Sequence, residues 1–128
     1  MALLSFTREQ LGLGPVAEVR ANAEIVQMFL SDSSRKCMVV VTCMGNGKYR
    51  MLVKVAAEIL LSQSAQTVQD ATNSLAATPL SEEARTILET IITDYSSRSL
   101  RCIALVHQNL EEWPPHGPPT DENEMAVF

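Results

Sequence analysis

The stretch KCMVVVTCMGNGKYRMLVKV, residues 36–55, decides the fold because it predicts two strands joined by a tight turn. Its first part, 36–44, is a run of β-branched and apolar residues that favours a strand. The segment GNG at 45–47 is typical of a hairpin turn, since Asn-Gly readily supplies positive φ. The segment 48–55 then alternates in character from one residue to the next. An antiparallel hairpin is therefore predicted at the centre of the domain.

The return strand of this hairpin raises a question about one lysine. Successive side chains of a strand lie on opposite faces of its sheet, so Arg50 and Lys54 are predicted on one face and Met51 and Val53 on the other. Lys54 stands in the otherwise apolar passage MLVKVAAEILL. Two interpretations stay open for it. It is either a strand lysine with its ammonium in solvent, or a cation at a cleft that binds a ligand.

Composition limits the classes of function. The chain has 128 residues, of which 46% are hydrophobic, and this predicts one globular domain. A formal charge of −5 argues against nucleic acid and against anionic membrane surfaces as partners. No apolar run reaches the ~18–20 residues that cross a bilayer, and no signal-peptide pattern is present. The three cysteines form no CxxC pair, so no metal site is predicted, and reduced thiols in the cytoplasm are expected.

The rest of the pattern predicts an α+β domain, an antiparallel β-sheet flanked by helices. The pattern predicts helices over 2–11 and 56–65 and strands over 24–30 and 99–110. It also predicts a surface loop with a fragment of helix over 63–79. A long amphipathic helix follows, with Thr78 as N-cap and Pro79 as its first residue. The domain is predicted over 1–113, with a Pro-rich acidic tail over 114–128.

Four segments, taken in order and spacing, resemble a known family. They are ALLSFTREQLGLGPVAEVRANAEIVQMF, DSSRKCMVVV, GKYRMLVKVAAEILL and SLRCIALVHQNLEEWPP. Together they are similar to the nucleotide-binding (N) domain of fungal plasma-membrane calcium-transporting P-type ATPases. The resemblance implies an antiparallel sheet flanked by helices, in a domain that binds ATP and delivers it to a separate phosphorylated domain.

The resemblance also implies roles for individual residues. Lys54 matches the lysine of the family's KGA motif at the base of the ATP pocket. Arg101 matches an arginine of the LR-[CT]-[IL]-[AG]-L motif, which helps to hold the phosphates. Arg35 and Lys36 match the RK pair that ends the family's DSSRK-like turn.

Three of the positions that depart from the family pattern fall where the resemblance implies that ATP would bind. Ser31 stands where the family has a phenylalanine that stacks on adenine. Such stacking is worth roughly 1–3 kcal/mol, so ATP or ADP is expected to bind about tenfold or more weakly. Val55 replaces the glycine after the motif lysine and adds a branched side chain where the backbone approaches the ligand. His107 replaces a tyrosine in the last strand.

These observations leave alternative functions open. The first is a stand-alone, degenerate N domain that binds a small molecule in the former ATP cleft and requires no cofactor. The second is an isomerase or cyclase in fungal secondary metabolism, in which Lys54, Arg101 and His107 orient a carbonyl-bearing substrate. The third is a fragment without activity of its own. Because the chain lacks a DKTGT-type phosphorylation segment, it is not expected to pump an ion by itself. A homodimer through exposed sheet edges is also left open.

Overall fold

A computed structural model describes residues 2–30, 36–68 and 76–114. The elements, in chain order, are α1 (Ala2–Gln10), α2 (Val16–Asn22), β1 (Ile25–Phe29), β2 (Cys37–Cys43), β3 (Tyr49–Ala56), α3 (Ala57–Leu61), β4 (Gln66–Val68), β5 (Ala77–Pro79), α4 (Glu82–Ser97) and β6 (Ile103–Leu110). The predicted antiparallel sheet with flanking helices is confirmed. In the described residues, no helix has the length and apolar character needed to span a membrane.

The described chain divides into two compact units. The sheet unit contains the described residues of Ala23–Lys54 and Leu105–Phe128, and the helical unit contains those of Met1–Asn22 and Val55–Ala104. The predicted division into a domain and a tail at residue 114 stays a prediction, since residues 115–128 lie outside the described part.

The main sheet has four strands in the order β1-β2-β3-β6. Strands β1 and β2 pair antiparallel, with Phe29 opposite Val39 and Met28 opposite Val40. The register shifts between Ile25 and Gln27, which is a β-bulge in the edge strand β1. Bulges of this kind disrupt the ladder locally and limit pairing with further strands.

The predicted hairpin between β2 and β3 is confirmed. The N–H of Met44 donates to the carbonyl of Lys48 at 2.8 Å and closes the turn. Positive φ falls on Gly45 and Gly47, at 73° and 77°, and not on Asn46. The Asn46 side chain instead accepts the Lys48 N–H through Oδ1 at 3.0 Å. The turn therefore uses glycine for its left-handed positions and asparagine as a local acceptor.

One face of the sheet strands is buried and forms the core. Val39 and Val41 of β2 are the most completely buried large side chains among the described residues. Met51 and Val53 of β3 are also buried. All four positions alternate with more exposed neighbours, as expected for strands with one face in the core. Hydrophobic burial of this face is the main term that holds the sheet unit together.

The helical unit is held partly by polar contacts. The guanidinium of Arg85 in α4 donates to the carbonyl of Leu61, the last residue of α3. It also donates to the carbonyl of Ser64 at 2.9 Å. These carbonyls follow the end of a short helix and need donors. The N–H of Leu80 donates to the carbonyl of Ala65 at 2.9 Å, next to the pairing of β4 with β5. Arg85 therefore anchors α4 to the end of α3.

Several boundaries differ from the sequence prediction. Helix α4 begins after Ser81, whose Oγ accepts the Ala84 N–H at 3.1 Å, so the predicted cap at Thr78 and Pro79 was wrong. Thr78 and Pro79 belong to β5, which pairs with β4 in a stretch predicted as a loop. Helix α3 has five residues and ends at 61 instead of 65. Helix α2 was missed because glycines and a proline precede it.

Candidate functional site

Lys54 lies on the exposed face of strand β3. Along this strand Met51 and Val53 are buried, while Leu52 and Lys54 are exposed. This alternation confirms the face predicted for Lys54. Among the described residues, none forms a hydrogen bond or an ion pair with the Lys54 ammonium. We call this side of the sheet unit, on which Lys54 is exposed, the open face.

Two side-chain pairs define the alignment of β6 beside β3. Nζ of Lys48 lies 2.9 Å from Oε1 of Glu111. Two positions further along β3, Nε of Arg50 donates to Oδ1 of Asn109 at 2.9 Å. As the residue number rises by two on one strand, it falls by two on the other, which is the pattern of an antiparallel pair in constant register.

Continuing this register places His107 beside Lys54 on the open face. We infer that Leu52 lies opposite His107 and that Lys54 lies opposite Leu105. Lys54 and His107 are then diagonal neighbours, a relation in which Cα atoms of antiparallel strands are ~7–8 Å apart. Leu105 is 65% exposed, and His107 is half-buried. In this inferred register, two of the predicted site residues lie on one face of the sheet unit.

The neighbouring strand β2 extends the same face. Oγ1 of Thr42 lies 3.4 Å from the carbonyl oxygen of Arg50, and this aligns the two residues. By the same alternation, Val40 and Met38 of β2 follow on the open face, and both are half-buried. The open face is therefore formed by Met38, Val40, Leu52, Lys54, Leu105 and His107.

This combination of groups suits a particular class of ligand. An ammonium can hold a phosphate, carboxylate or carbonyl oxygen as a compact point charge. The surrounding leucine, valine and methionine side chains offer apolar surface to a ring or hydrocarbon portion. In the residues that the structure describes, no group of three or more His, Cys, Asp or Glu could hold a metal ion. The chemistry of these groups suits an amphipathic anion better than a metal ion.

Two other predicted site residues belong to the helical unit. Val55 is only 5% exposed and lies on the opposite side of β3 from Lys54. Arg101 is exposed and precedes β6, next to Cys102, whose carbonyl accepts the Ala57 N–H at 3.4 Å. Their assignment to ligand binding, and the grouping of Arg101 with Lys54 in one cleft, stay predictions.

The remaining predicted residues precede β2 in the sequence. Lys36 is exposed and has a positive φ of 52° immediately before the strand. Such a φ is uncommon for a residue with a side chain. Ser31 and Arg35 lie outside the described residues. The part of the predicted site that would hold adenine is therefore not described.

Sequence reasoning missed the apolar members of the open face. Alternation along β3 puts Leu52 on the face of Lys54, but nothing in the sequence assigned Val40, Met38 or Leu105 to the site. Their positions depend on how β2 and β6 align with β3. A sequence pattern gives the alternation within a strand, whereas the alignment between strands comes from pairs such as Arg50 with Asn109.

The comparison with known families agrees with this architecture. The family described as P-type ATPase, cytoplasmic domain N, matches residues 1–127. The chain belongs to this family. The resemblance predicted from the four sequence segments is thus confirmed. The family match also places this chain with a domain described as cytoplasmic.

Relatives of the N-domain chain are calcium-transporting ATPases. The chain is 33% identical over 125 residues to calcium-transporting ATPase 2 of Cryptococcus neoformans var. grubii, and the match covers 94% of this chain and 9% of that protein. It is 30% identical over 125 residues to calcium-transporting ATPase 2 of Schizosaccharomyces pombe, covering 98% of this chain and 9% of that protein. A putative plasma membrane-type calcium-transporting ATPase 11 of Arabidopsis thaliana is 33% identical over 101 residues, which is 79% of this chain and 10% of the plant protein. The chain spans about a tenth of the length of these relatives.

Proposed function

We propose that this N-domain chain binds a small anionic molecule on the open face, with Lys54 as the anchoring cation and with weakened affinity for ATP and ADP. The observation that carries the proposal is the position of Lys54, which is exposed, has no ion-pair partner among the described residues and is bordered by apolar side chains. In the family that the sequence resembles, the matching lysine lies at the base of the ATP pocket. The proposal assigns ligand binding in the cytoplasm and requires no resident cofactor.

Weakened nucleotide affinity follows from the residue at position 31. A serine cannot supply the aromatic stacking that the family's phenylalanine gives to adenine, and this stacking is worth roughly 1–3 kcal/mol. Lys54 can still attract the phosphates. We therefore expect the phosphate portion of a nucleotide to contribute more to binding than its base.

Binding is favoured over catalysis by the exposure of Lys54. Lysines that act as acids or bases are usually desolvated, whereas Lys54 is exposed. His107 shares the open face, but its inferred neighbours Leu52 and Lys54 supply no carboxylate to orient its ring. Isomerase or cyclase activity on a carbonyl-bearing metabolite remains a sequence-based hypothesis, since no specific contact within residues 2–30, 36–68 and 76–114 favours it.

The proposal is tested by titrating ADP and ATP, with Mg²⁺, into four forms of the full chain. These are the unmodified chain, Lys54→Ala, Lys48→Ala and Ser31→Phe. Lys48 is a matched control because it belongs to the same hairpin, pairs with Glu111 and lies six residues, or about 20 Å, along from Lys54. Both alanine variants change the net charge equally.

We expect weak binding by the unmodified chain and at least about tenfold weaker binding by Lys54→Ala, because hydrogen bonds to charged groups are worth about 1.5–3 kcal/mol. Lys48→Ala should bind as the unmodified chain does. Ser31→Phe should bind at least about tenfold more tightly, since stacking is restored. Equal affinities for Lys54→Ala and Lys48→Ala would contradict the role of Lys54.

A further inference from the structure

Helix α4 carries an apolar stripe that is exposed on the described surface. Ile87, Ile91 and Tyr95 recur every four residues and are 59%, 43% and 41% exposed. Residues at this spacing lie in one row along a helix. A second row, with Leu88 and Ile92, is half-buried. The helix therefore has apolar surface beyond what its own packing uses.

Opposite charges stand at the two ends of this stripe. Glu83 lies four residues before Ile87, in the same row and in the first turn of α4. Arg98 is the C-cap residue; its guanidinium carbon lies 5.8 Å from the centre of the Tyr95 ring, and its Nη1 lies 3.7 Å from Asp94 Oδ2. The row thus runs from an anion through three large apolar side chains to a cation.

Such a row is complementary to itself in one orientation only. When two copies of α4 pack antiparallel with Ile91 at the two-fold axis, Ile87 of each copy meets Tyr95 of the other. Glu83 of each copy then approaches Arg98 of the other, and the helix dipoles are also opposed. In a parallel pair, Glu83 would meet Glu83 and Arg98 would meet Arg98. Charge complementarity therefore selects a second copy in the antiparallel arrangement.

We propose that the chain forms a reversible homodimer through antiparallel packing of α4, with the stripe of Glu83, Ile87, Ile91, Tyr95 and Arg98 as the interface. A helix of 16 residues is about 24 Å long, so the buried area lies at the small end of specific interfaces. The dimer should accordingly be weak, with a dissociation constant in the micromolar to millimolar range. The stripe shares no residue with the open face, so the proposal does not depend on ligand binding there.

The decisive experiment uses two charge variants of the full chain, Glu83→Arg and Arg98→Glu, in sedimentation velocity over a wide concentration range. Each variant alone places like charges at both ends of the paired helices and should be monomeric. In an equal mixture, the two arginines of one variant face the two glutamates of the other, so a heterodimer should form. Circular dichroism of each variant checks that it is folded.

Two results would overturn the proposal. One is an unmodified chain that stays monomeric at every concentration. The other is an unmodified dimer whose charge variants associate equally well alone and mixed, which would assign the interface to another surface, such as a sheet edge.

A second pair of variants tests the apolar centre of the stripe. Ile91→Glu places two carboxylates against each other at the two-fold axis and should weaken association by at least about tenfold. Leu105→Glu is the matched control, because Leu105 is more exposed than Ile91 and lies on β6. It should leave the dimer unchanged. Equal weakening by both substitutions would contradict the assignment of the interface to α4.

Discussion

Strand β3 and helix α4 are stabilised in different ways. Three residues of β3, namely Met51, Val53 and Val55, are buried, and the strand depends on apolar packing. Helix α4 has twice as many residues as β3 and none of them is buried, and specific polar contacts fix it at both ends. The difference teaches that the strand can present an open face to a ligand because its other face supplies the stability. The helix instead keeps apolar surface exposed.

The strand half of this comparison is tested most strongly by Met51→Ala. Met51 is buried, so its truncation leaves a cavity and should lower the free energy of unfolding by about 2–5 kcal/mol. Chemical denaturation measures this loss. The adjacent substitution Leu52→Ala is the control and should change the free energy of unfolding by less than about 1 kcal/mol, because Leu52 is exposed on the open face. Similar losses for both would mean that the two faces of β3 do not differ as described.

The helix half is tested by Arg85→Met, which keeps the length of the side chain and removes its donors. The carbonyls of Leu61 and Ser64 would each lose a bond from a charged donor. We expect the free energy of unfolding to fall by about 1–3 kcal/mol. Arg8→Met in α1 is the control, since Arg8 is exposed, and it should have an effect within about 0.5 kcal/mol. An equally small effect at Arg85 would show that the polar anchor is unimportant.

The smallest expected effect is at the C-terminal end of α4. The N–H of Leu100 donates to the Tyr95 carbonyl at 2.9 Å and that of Ser99 to the Ser96 carbonyl at 3.0 Å, which is a Schellman motif. Ser99 has a φ of 59°, a conformation that glycine adopts without steric cost. Ser99→Gly should therefore raise the free energy of unfolding by about 0.5–1 kcal/mol, measured by denaturation.

The control for this change is Ser97→Gly within the same helix. Ser97 belongs to α4 proper, where glycine costs backbone entropy, so this variant should be less stable than the unmodified chain. A loss of stability in both variants would contradict the motif.

The sheet was predictable from local pattern, and the site only in part. Alternation in β3 and the glycines of the turn are local signals, and they placed the hairpin and the face of Lys54 correctly. The start of α4 was predicted at Thr78 and Pro79 because both are common near helix starts. Pairing of β5 with β4 overrides that preference, and Ser81 caps the helix. Pairing between segments distant in sequence is not contained in a local pattern.

The apolar members of the open face show the same limit. Leu105 neighbours Lys54 only through the register that Arg50 and Asn109 define. Val55 is predicted to affect the ligand because the family has glycine there, and this stays a prediction; its side chain is buried on the side of β3 opposite Lys54. Alternation along β3 gives the face of each residue, but its neighbours on adjacent strands come from the structure.

The central claim, that Lys54 and its apolar neighbours form a binding face, is tested most directly by methyl NMR spectra during addition of ADP. Leu52 and Leu105 carry methyl groups on the open face, and Val53 carries methyl groups on the buried face of the same strand. The account predicts that ADP shifts the leucine methyl signals progressively, leaves those of Val53 nearly unchanged, and has a much smaller effect on Lys54→Ala. Shifts confined to residues away from the open face, or equal shifts in Lys54→Ala, would contradict it.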